Sequence, residues 1–258
     1  MATPLTVTGL SLAFGGQQVL DDVDLDVAAG AAVGIIGPNG AGKTSIFNCI
    51  SRIYRPSAGR IMLGDLDMSS LRSSRVTAAG VARSFQGTAL PPRATALENV
   101  MLGAHTSFRA TWIEGALGLP RSRRAERAAR ERALETLAQV GLAEDADTPM
   151  ELLPLGHQKL VDIARCLVAE PEVLLLDEPV AATSQAERDR VRRILAELVK
   201  GRQMTLLLVE HDVSFVADLV DETVVLDLGK VIARGNPQAV LKDPRVVASY
   251  LGGAEAKA

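Results

Sequence analysis

A chain of 258 residues, 47% hydrophobic and 23% charged, suffices for one large domain or two intimate subdomains around a real core. Its 28 Lys+Arg against 31 Asp+Glu leave a net charge of −3, which argues against strong non-specific binding to nucleic acid. Two distant cysteines, Cys49 and Cys166, no apolar run of membrane-spanning length, and an amino-terminal stretch without a basic flank argue against a disulfide scaffold, a membrane-embedded chain and a signal peptide.

Along the chain, "LTVTGLSLAF" and "VDLDV" alternate with period two and predict half-buried strands. "AAVGIIG" is a short apolar run ending in glycine, the pattern of a strand buried on both faces. "KTSIFNCISRIY" predicts a helix, and "GRIMLGDLDM" returns to strand around a Gly-Asp turn. From about Ala94 to Val140 the pattern is helical, and this middle looks inserted into the rest. "EVLLL" and "MTLLLV" are further buried strands separated by the helical "ERDRVRRILAELVKG". "TVVLDLGKVIARG" predicts a hairpin turned at Gly229, with short helices after it. Strands alternating with helices around apolar runs imply an α/β fold with a parallel sheet.

The chemistry begins at "GIIGPNGAGKTS". Gly37, Gly42, Lys43 and Thr44 fit G-x-x-x-x-G-K-[ST], after a strand and opening a helix, which makes this a P-loop NTPase motif in its required context. Pro38, Asn39, Gly40, Ala41 and Ser45 complete the loop. Its backbone N–H groups and the helix N-terminus face phosphate oxygens, Lys43 reaches the β- and γ-phosphates, and the Thr44 hydroxyl can ligate Mg²⁺. In "VLLLDEP", Asp177 ends a buried strand where it would hold Mg²⁺, and Glu178 follows as a carboxylate able to polarise water. In "LLLVEHD", His211 stands just past another strand, placed for a γ-phosphate contact. His105 has no partner motif and is expected to be structural.

With these pieces in this order, the chain resembles an ABC transporter ATPase subunit over nearly its whole length. The resemblance implies one nucleotide-binding domain over residues 1–258: a P-loop α/β core, an amino-terminal antiparallel β subdomain, and a helical subdomain inserted at about 88–168. It implies that Phe14 stacks on adenine, the alternative being a core aromatic, and that Val19 touches the base. Gln86, in "VARSFQ", would ligate Mg²⁺ or water and sense the membrane partner. Asp177, Glu178 and His211 would be the metal-binding acid, the catalytic acid and the switch histidine. "VARSFQ", the Arg-rich helix and the ending "NPQAVLKDPRVVASYLGG" resemble the subunits that power branched-chain amino acid importers. The implied cofactors are ATP and Mg²⁺. The implied partners are a second ATPase subunit, transmembrane permease subunits and, indirectly, a solute-binding protein, with no nucleic acid. The implied place is the cytoplasmic face of the inner membrane, reached through the permease.

Two departures stand out. The family's L-S-x-G-Q signature, which grips the nucleotide of the opposite subunit, appears here as Leu153, Pro154, Leu155, Gly156 and His157. Proline removes the hydroxyl, while Gly156 and the helix N-terminus remain and His157 retains a donor. Ser184 stands where the family's D-loop has Asp or Asn. Arg121, Arg123, Arg124, Arg127, Arg130 and Arg132 cluster near Glu126 and Glu131, as a solvated helix with pairs such as Glu126–Arg130 or as a docking surface for a membrane subunit or acidic lipid. Two rival readings stay open: a non-transport ABC ATPase and a weakly hydrolysing regulatory subunit.

Overall fold

The computed structural model describes residues 2–84, 91–104, 120–202 and 204–255. Gln86 and His105 lie outside these, as does the side chain of Arg121. The chain divides into two compact units: residues 1–83, 172–178 and 195–258 form the first, and residues 84–171 and 179–194 the second.

The first unit holds two sheets. Strands β1 (Leu5–Phe14) and β2 (Gln17–Val27) pair antiparallel, and β1 pairs on its other side with β4 (Ala58–Leu63), which turns into the short β5 (Leu66–Asp67). Along β2 the residues Leu20, Val23, Leu25 and Val27 are buried while Asp24 and Asp26 face out, as the period-two pattern requires. The second sheet has the order β10-β9-β3-β8-β7-β6, with β3 (Ala32–Ile36), β6 (Val81–Arg83), β7 (Val173–Asp177), β8 (Thr205–Val209), β9 (Glu222–Asp227) and β10 (Lys230–Gly235). All its pairings are parallel except the β9–β10 hairpin. β3, β7 and β8 are buried at every residue, which is why they read as unbroken apolar runs. One core joins the inner face of the antiparallel sheet to α1 (Lys43–Ile50) and the parallel strands through Leu10, Leu25, Phe47, Ile50, Leu175 and Leu207.

The helix at α1 is shorter than "KTSIFNCISRIY" predicts. It stops at Ile50, and Arg52 turns left-handed with φ 58°. Cys49 and Cys166 are buried free thiols, and burial pushes the Cys49 thiol up to about 11.

The second unit is helical: α2 (Ala96–Ala104), α3 (Pro120–Gln139), α4 (Leu155–Leu167) and the start of α5 (Gln185–Arg202). Of the helical subdomain expected at about 88–168, residues 88–90 and 105–119 lie outside the described residues. On α3, Arg123, Arg124, Arg127 and Arg130 are exposed. No Glu126–Arg130 ion pair forms among the described residues, and Arg132 instead reaches Glu170 at 3.9 Å. Two long exposed side chains gain little from holding one geometry, so the expected pair does not form. In the first unit α6 (Val213–Leu219) precedes the hairpin, and a helical turn (Pro237–Val240) and α7 (Pro244–Glu255) follow it. No helix among the described residues is long and apolar enough to cross a membrane.

Candidate nucleotide site

Three neighbouring strands of the parallel sheet, β3, β7 and β8, end at one edge, and each releases a candidate residue there. In an open parallel sheet this carboxyl edge is where ligands bind. After β3 the chain forms the loop Gly37–Gly42 and enters α1 at Lys43. Gly42 caps that helix at φ 102°, and a Cβ there would stand 2.7 Å from Leu20 Cδ2 and 3.0 Å from Val19 O. Only glycine fits this turn against the strand behind it. Lys43 is 5% exposed and donates to the carbonyls of Gly37 (2.7 Å) and Pro38 (2.9 Å). Burial holds its pKa below the ordinary lysine value, with Glu178 and Asp177 acting in the opposite sense. Thr44 and Ser45 are partly exposed on the first turn of α1.

Asp177, the last residue of β7, is 2% exposed. Burial pushes its carboxyl up, and the Arg83 guanidinium 3.0 Å away opposes that shift. Glu178 follows with φ 51°, a left-handed conformation uncommon for a side chain of this size, fixed by a bond from its N–H to Val209 O at 2.8 Å. This turn aims the carboxylate at β8's exit, where Glu178 Oε1 meets His211 Nε2 at 2.7 Å. His211 is set by its flanks. Its N–H donates to Glu210 Oε2 (2.9 Å), and Asp212 caps α6 by accepting from the N–H groups of Ser214 and Phe215. The structure thus brings Lys43, Asp177, Glu178 and His211 to one edge.

Phe14 is 48% exposed, so it is no core aromatic. It stands edge-on to Tyr54, with ring centroids 5.0 Å apart. Val19 is half-buried against the core. The turn of the β9–β10 hairpin supports the loop: Gly229 N–H donates to Ala41 O (3.1 Å), and its carbonyl accepts from Asp21 N–H (2.9 Å). On α7, Arg245, Ala248 and Ser249 line a pocket together with Pro38, Asn39, Gly40 and Ala41 of the loop.

The donors suit Mg²⁺. They are hard oxygens, one hydroxyl on Thr44 and one buried carboxylate on Asp177, and no cluster of three metal-binding side chains occurs among the described residues. Mg²⁺ is commonly held in this way, by one or two carboxylates together with substrate phosphates.

In the second unit, α4 begins at Leu155 with Pro154 at its N-cap, and no side chain of that residue caps it. The N–H of Gly156 donates instead to Glu187 Oε1 at 2.8 Å. The other oxygen of Glu187 accepts from the N–H (2.8 Å) and hydroxyl (2.7 Å) of Ser184. Ser184 Oγ accepts in turn from Glu187 N–H (3.3 Å), which closes an S-x-x-E capping box at the head of α5. The Ser184 hydroxyl and amide, then the Gly156 amide, hold the Glu187 carboxyl below its usual range. The Nε2 of His157 lies 2.6 Å from Arg190, which can only donate, so the donor expected of His157 stands at Nδ1; that atom lies 3.0 Å from Asp145 Oδ2 but is buried without a hydrogen-bond partner among the described residues.

Sequence reasoning missed Arg83 and Glu187. "VARSFQ" gives Arg83 no role of its own, and in "SQAE" the S-x-x-E spacing before a helix is a capping signal that would have found Glu187.

Residues 20–181 match the family model described as ABC transporter, and residues 230–256 match that of the branched-chain amino acid ATP-binding cassette transporter. The chain belongs to the ABC transporter ATP-binding family. It is 37% identical to the high-affinity branched-chain amino acid transport ATP-binding protein LivG of Escherichia coli K12, over 98% of this chain and 99% of LivG. It is also 37% identical to BraF of Pseudomonas aeruginosa, which carries the same description, over 96% and 97%. Among solved structures, the ADP conformation of the ABC transporter cassette MJ1267 superposes with a TM-score of 0.84 at 27% identity, covering 98% of this chain and 100% of that one. MJ0796, a cassette solved as a dimer in a post-hydrolysis state with ADP and Pi, gives 0.76 at 25% identity, over 90% of this cassette and 98% of that one.

Proposed function

We propose that this cassette is the ATP-hydrolysing motor subunit of an importer for branched-chain amino acids or related small polar solutes, held at the cytoplasmic face of the membrane by permease subunits. The observation that carries the reading is the Glu178–His211 contact of 2.7 Å beside the loop of Lys43. Glu178 serves as the base that takes a proton from the attacking water, and His211 keeps its carboxylate aimed while contacting the γ-phosphate. Lys43 and the loop N–H groups bind the phosphates, Thr44, Asp177 and Gln86 hold the metal, and Phe14 with Val19 receives the base. Bound Mg²⁺ supplies charge neutralisation on the phosphates. The family-specific match at 230–256 and the descriptions of LivG and BraF support the solute class.

The test is Glu178→Gln. Loss of a general base lowers turnover by about 10²–10⁴-fold, while ATP binding persists and the variant accumulates as an ATP-dependent dimer in sedimentation. Wild-type turnover at saturating ATP in this variant removes Glu178 from the role.

The capped signature favours a second reading, a subunit that hydrolyses weakly and regulates. The N–H of Gly156, which the signature would offer to a phosphate near the start of its helix, already serves Glu187. Turnover of the full complex with Glu178→Gln placed in this subunit alone separates the two: an unchanged rate supports regulation.

A further inference from the structure

We propose that Tyr54 is a positioning residue that holds the exposed ring of Phe14 in place as the platform for the adenine base. The inference rests on the nucleotide-site reading above, in which Phe14 receives the base, and deepens it.

Phe14 ends β1 with 48% of its surface exposed, so the core does not enclose its ring. Tyr54 meets it at 77° between the ring planes and 5.0 Å between centroids. Such a T-shaped pair is favourable, and it leaves at least one face of Phe14 uncovered by its neighbour. Tyr54 is itself anchored, half-buried against the core.

The end of α1 puts Tyr54 there. Arg52 turns left-handed at φ 58° and donates its N–H to Cys49 O at 3.0 Å, while Ile53 N–H reaches Asn48 O at 2.9 Å. These are the two bonds of a Schellman motif, with arginine in the place that glycine usually fills. Tyr54 N–H converges on the same Asn48 carbonyl at 3.0 Å, a reversal that an uninterrupted helix does not make. Farther on, Ser57 N–H donates to Ser11 O (2.7 Å), and Ser57 Oγ accepts from the N–H of Ala13 (3.2 Å), next to Phe14. The segment that carries Tyr54 is thus tied at one end to the helix that opens with Lys43 and at the other to the strand that ends with Phe14.

The consequence concerns the base. A ring already oriented loses little freedom when a base stacks on it, so more of the contact is realised as affinity. The effect is confined to ligands that carry a base. Tripolyphosphate, which has the phosphates of ATP and no ring, gains nothing from Phe14. The contact is between rings, so the Tyr54 hydroxyl contributes nothing to it and phenylalanine serves as well.

The experiment measures binding, not turnover. Calorimetry gives the dissociation constants of Mg-ATP and Mg-tripolyphosphate for the full chain and for Tyr54→Leu, Tyr54→Phe and Phe14→Ala. Tyr54→Leu is expected to weaken ATP about fivefold, the scale of one aromatic pair, and to leave tripolyphosphate unchanged. Tyr54→Phe is expected to match wild type with both ligands. Equal weakening of the two ligands in Tyr54→Leu marks a merely structural role for the end of α1 and overturns the proposal. Unweakened ATP in Tyr54→Leu, or a loss in Tyr54→Phe as large as in Tyr54→Leu, overturns it too. If Tyr54→Leu does not fold, Tyr54→Met, which fills similar space without a ring, decides by the same outcomes. Phe14→Ala separates the inference from the reading beneath it. An unchanged ratio of ATP to tripolyphosphate affinity there removes Phe14 from the base, and the inference falls with it. A ratio that falls in Phe14→Ala but not in Tyr54→Leu overturns the inference alone.

Discussion

At the scale of residues, the loop lysine shows how local packing prepares a site. Lys43 is buried, turned onto the carbonyls of Gly37 and Pro38, and held below its ordinary pKa by desolvation. Phosphate oxygens that displace those carbonyls return to it the anionic partner that burial denies. Lys43→Ala should therefore abolish the melting shift given by Mg-ATP. At about 100 times the dissociation constant that shift reflects about 2.7 kcal/mol, and an equal shift in the variant would show that the loop is not the nucleotide site. The positions of Lys43, Asp177, Glu178 and His211 were legible because each sits where a buried apolar run stops, and such runs are visible in sequence. The partners of these residues were not. Arg83 reaches Asp177 across 94 positions, and His157 meets Arg190 and Asp145, pairings that only the folded chain creates. Phe14 was open between adenine contact and core, and its exposure removes the core alternative.

At the scale of elements, Pro154 and Ser184 lie at the heads of two helices that share one carboxylate. A serine at 154 would cap α4 by accepting from the N–H of Gly156. Glu187 supplies that acceptor from α5 instead, while also closing the capping box of its own helix. An anion at two helix N-termini is favourable to both. A phosphate arriving at Gly156 must displace it. Glu187→Gln keeps the capping-box residue type but removes the charge, so two opposite effects are expected. In the Glu178→Gln background it should dimerise at lower ATP. As a monomer it should melt at lower temperature at neutral pH. The pH sign follows from the depressed carboxyl: its contribution is present above the ordinary value of 4.5 and is lost as pH falls through the lower folded value. The melting gap between wild type and Glu187→Gln should accordingly close in acid, and a gap constant from neutral pH to acid removes the ionised carboxylate from the account. Strands and most helices were foreseen from periodicity. The end of α1 was not, because "SRIY" carries no breaker and Arg52 takes a left-handed turn that glycine normally marks.

At the scale of the whole molecule, every described residue proposed to meet the chain's own nucleotide lies in the first unit, and every one proposed to meet a partner's nucleotide lies in the second. The first set follows its motifs closely, while both departures, Pro154 and Ser184, fall in the second. An isolated chain pairing with itself meets two altered signatures, so Pro154→Ser should raise its ATP-dependent self-association. Equal dimerisation in sedimentation, with Glu178→Gln in both proteins, would make Pro154 a neutral variant. The hairpin turn at Gly229 carries a further consequence. Gly229 has φ 80°, and a Cβ there would stand 2.5 Å from Val19 O, on the strand that also closes against Gly42. The same residue holds Ala41, and Arg245, Ala248 and Ser249 farther along line a pocket with Pro38, Asn39, Gly40 and Ala41. The carboxyl-terminal region is thus a buttress to the phosphate loop, not a detachable label of transporter type. Tails exchanged between cassettes at residue 230 would replace the α7 residues that line a pocket with the loop, and such hybrids should lose grip on nucleotide before they lose any feature of recognition by a permease.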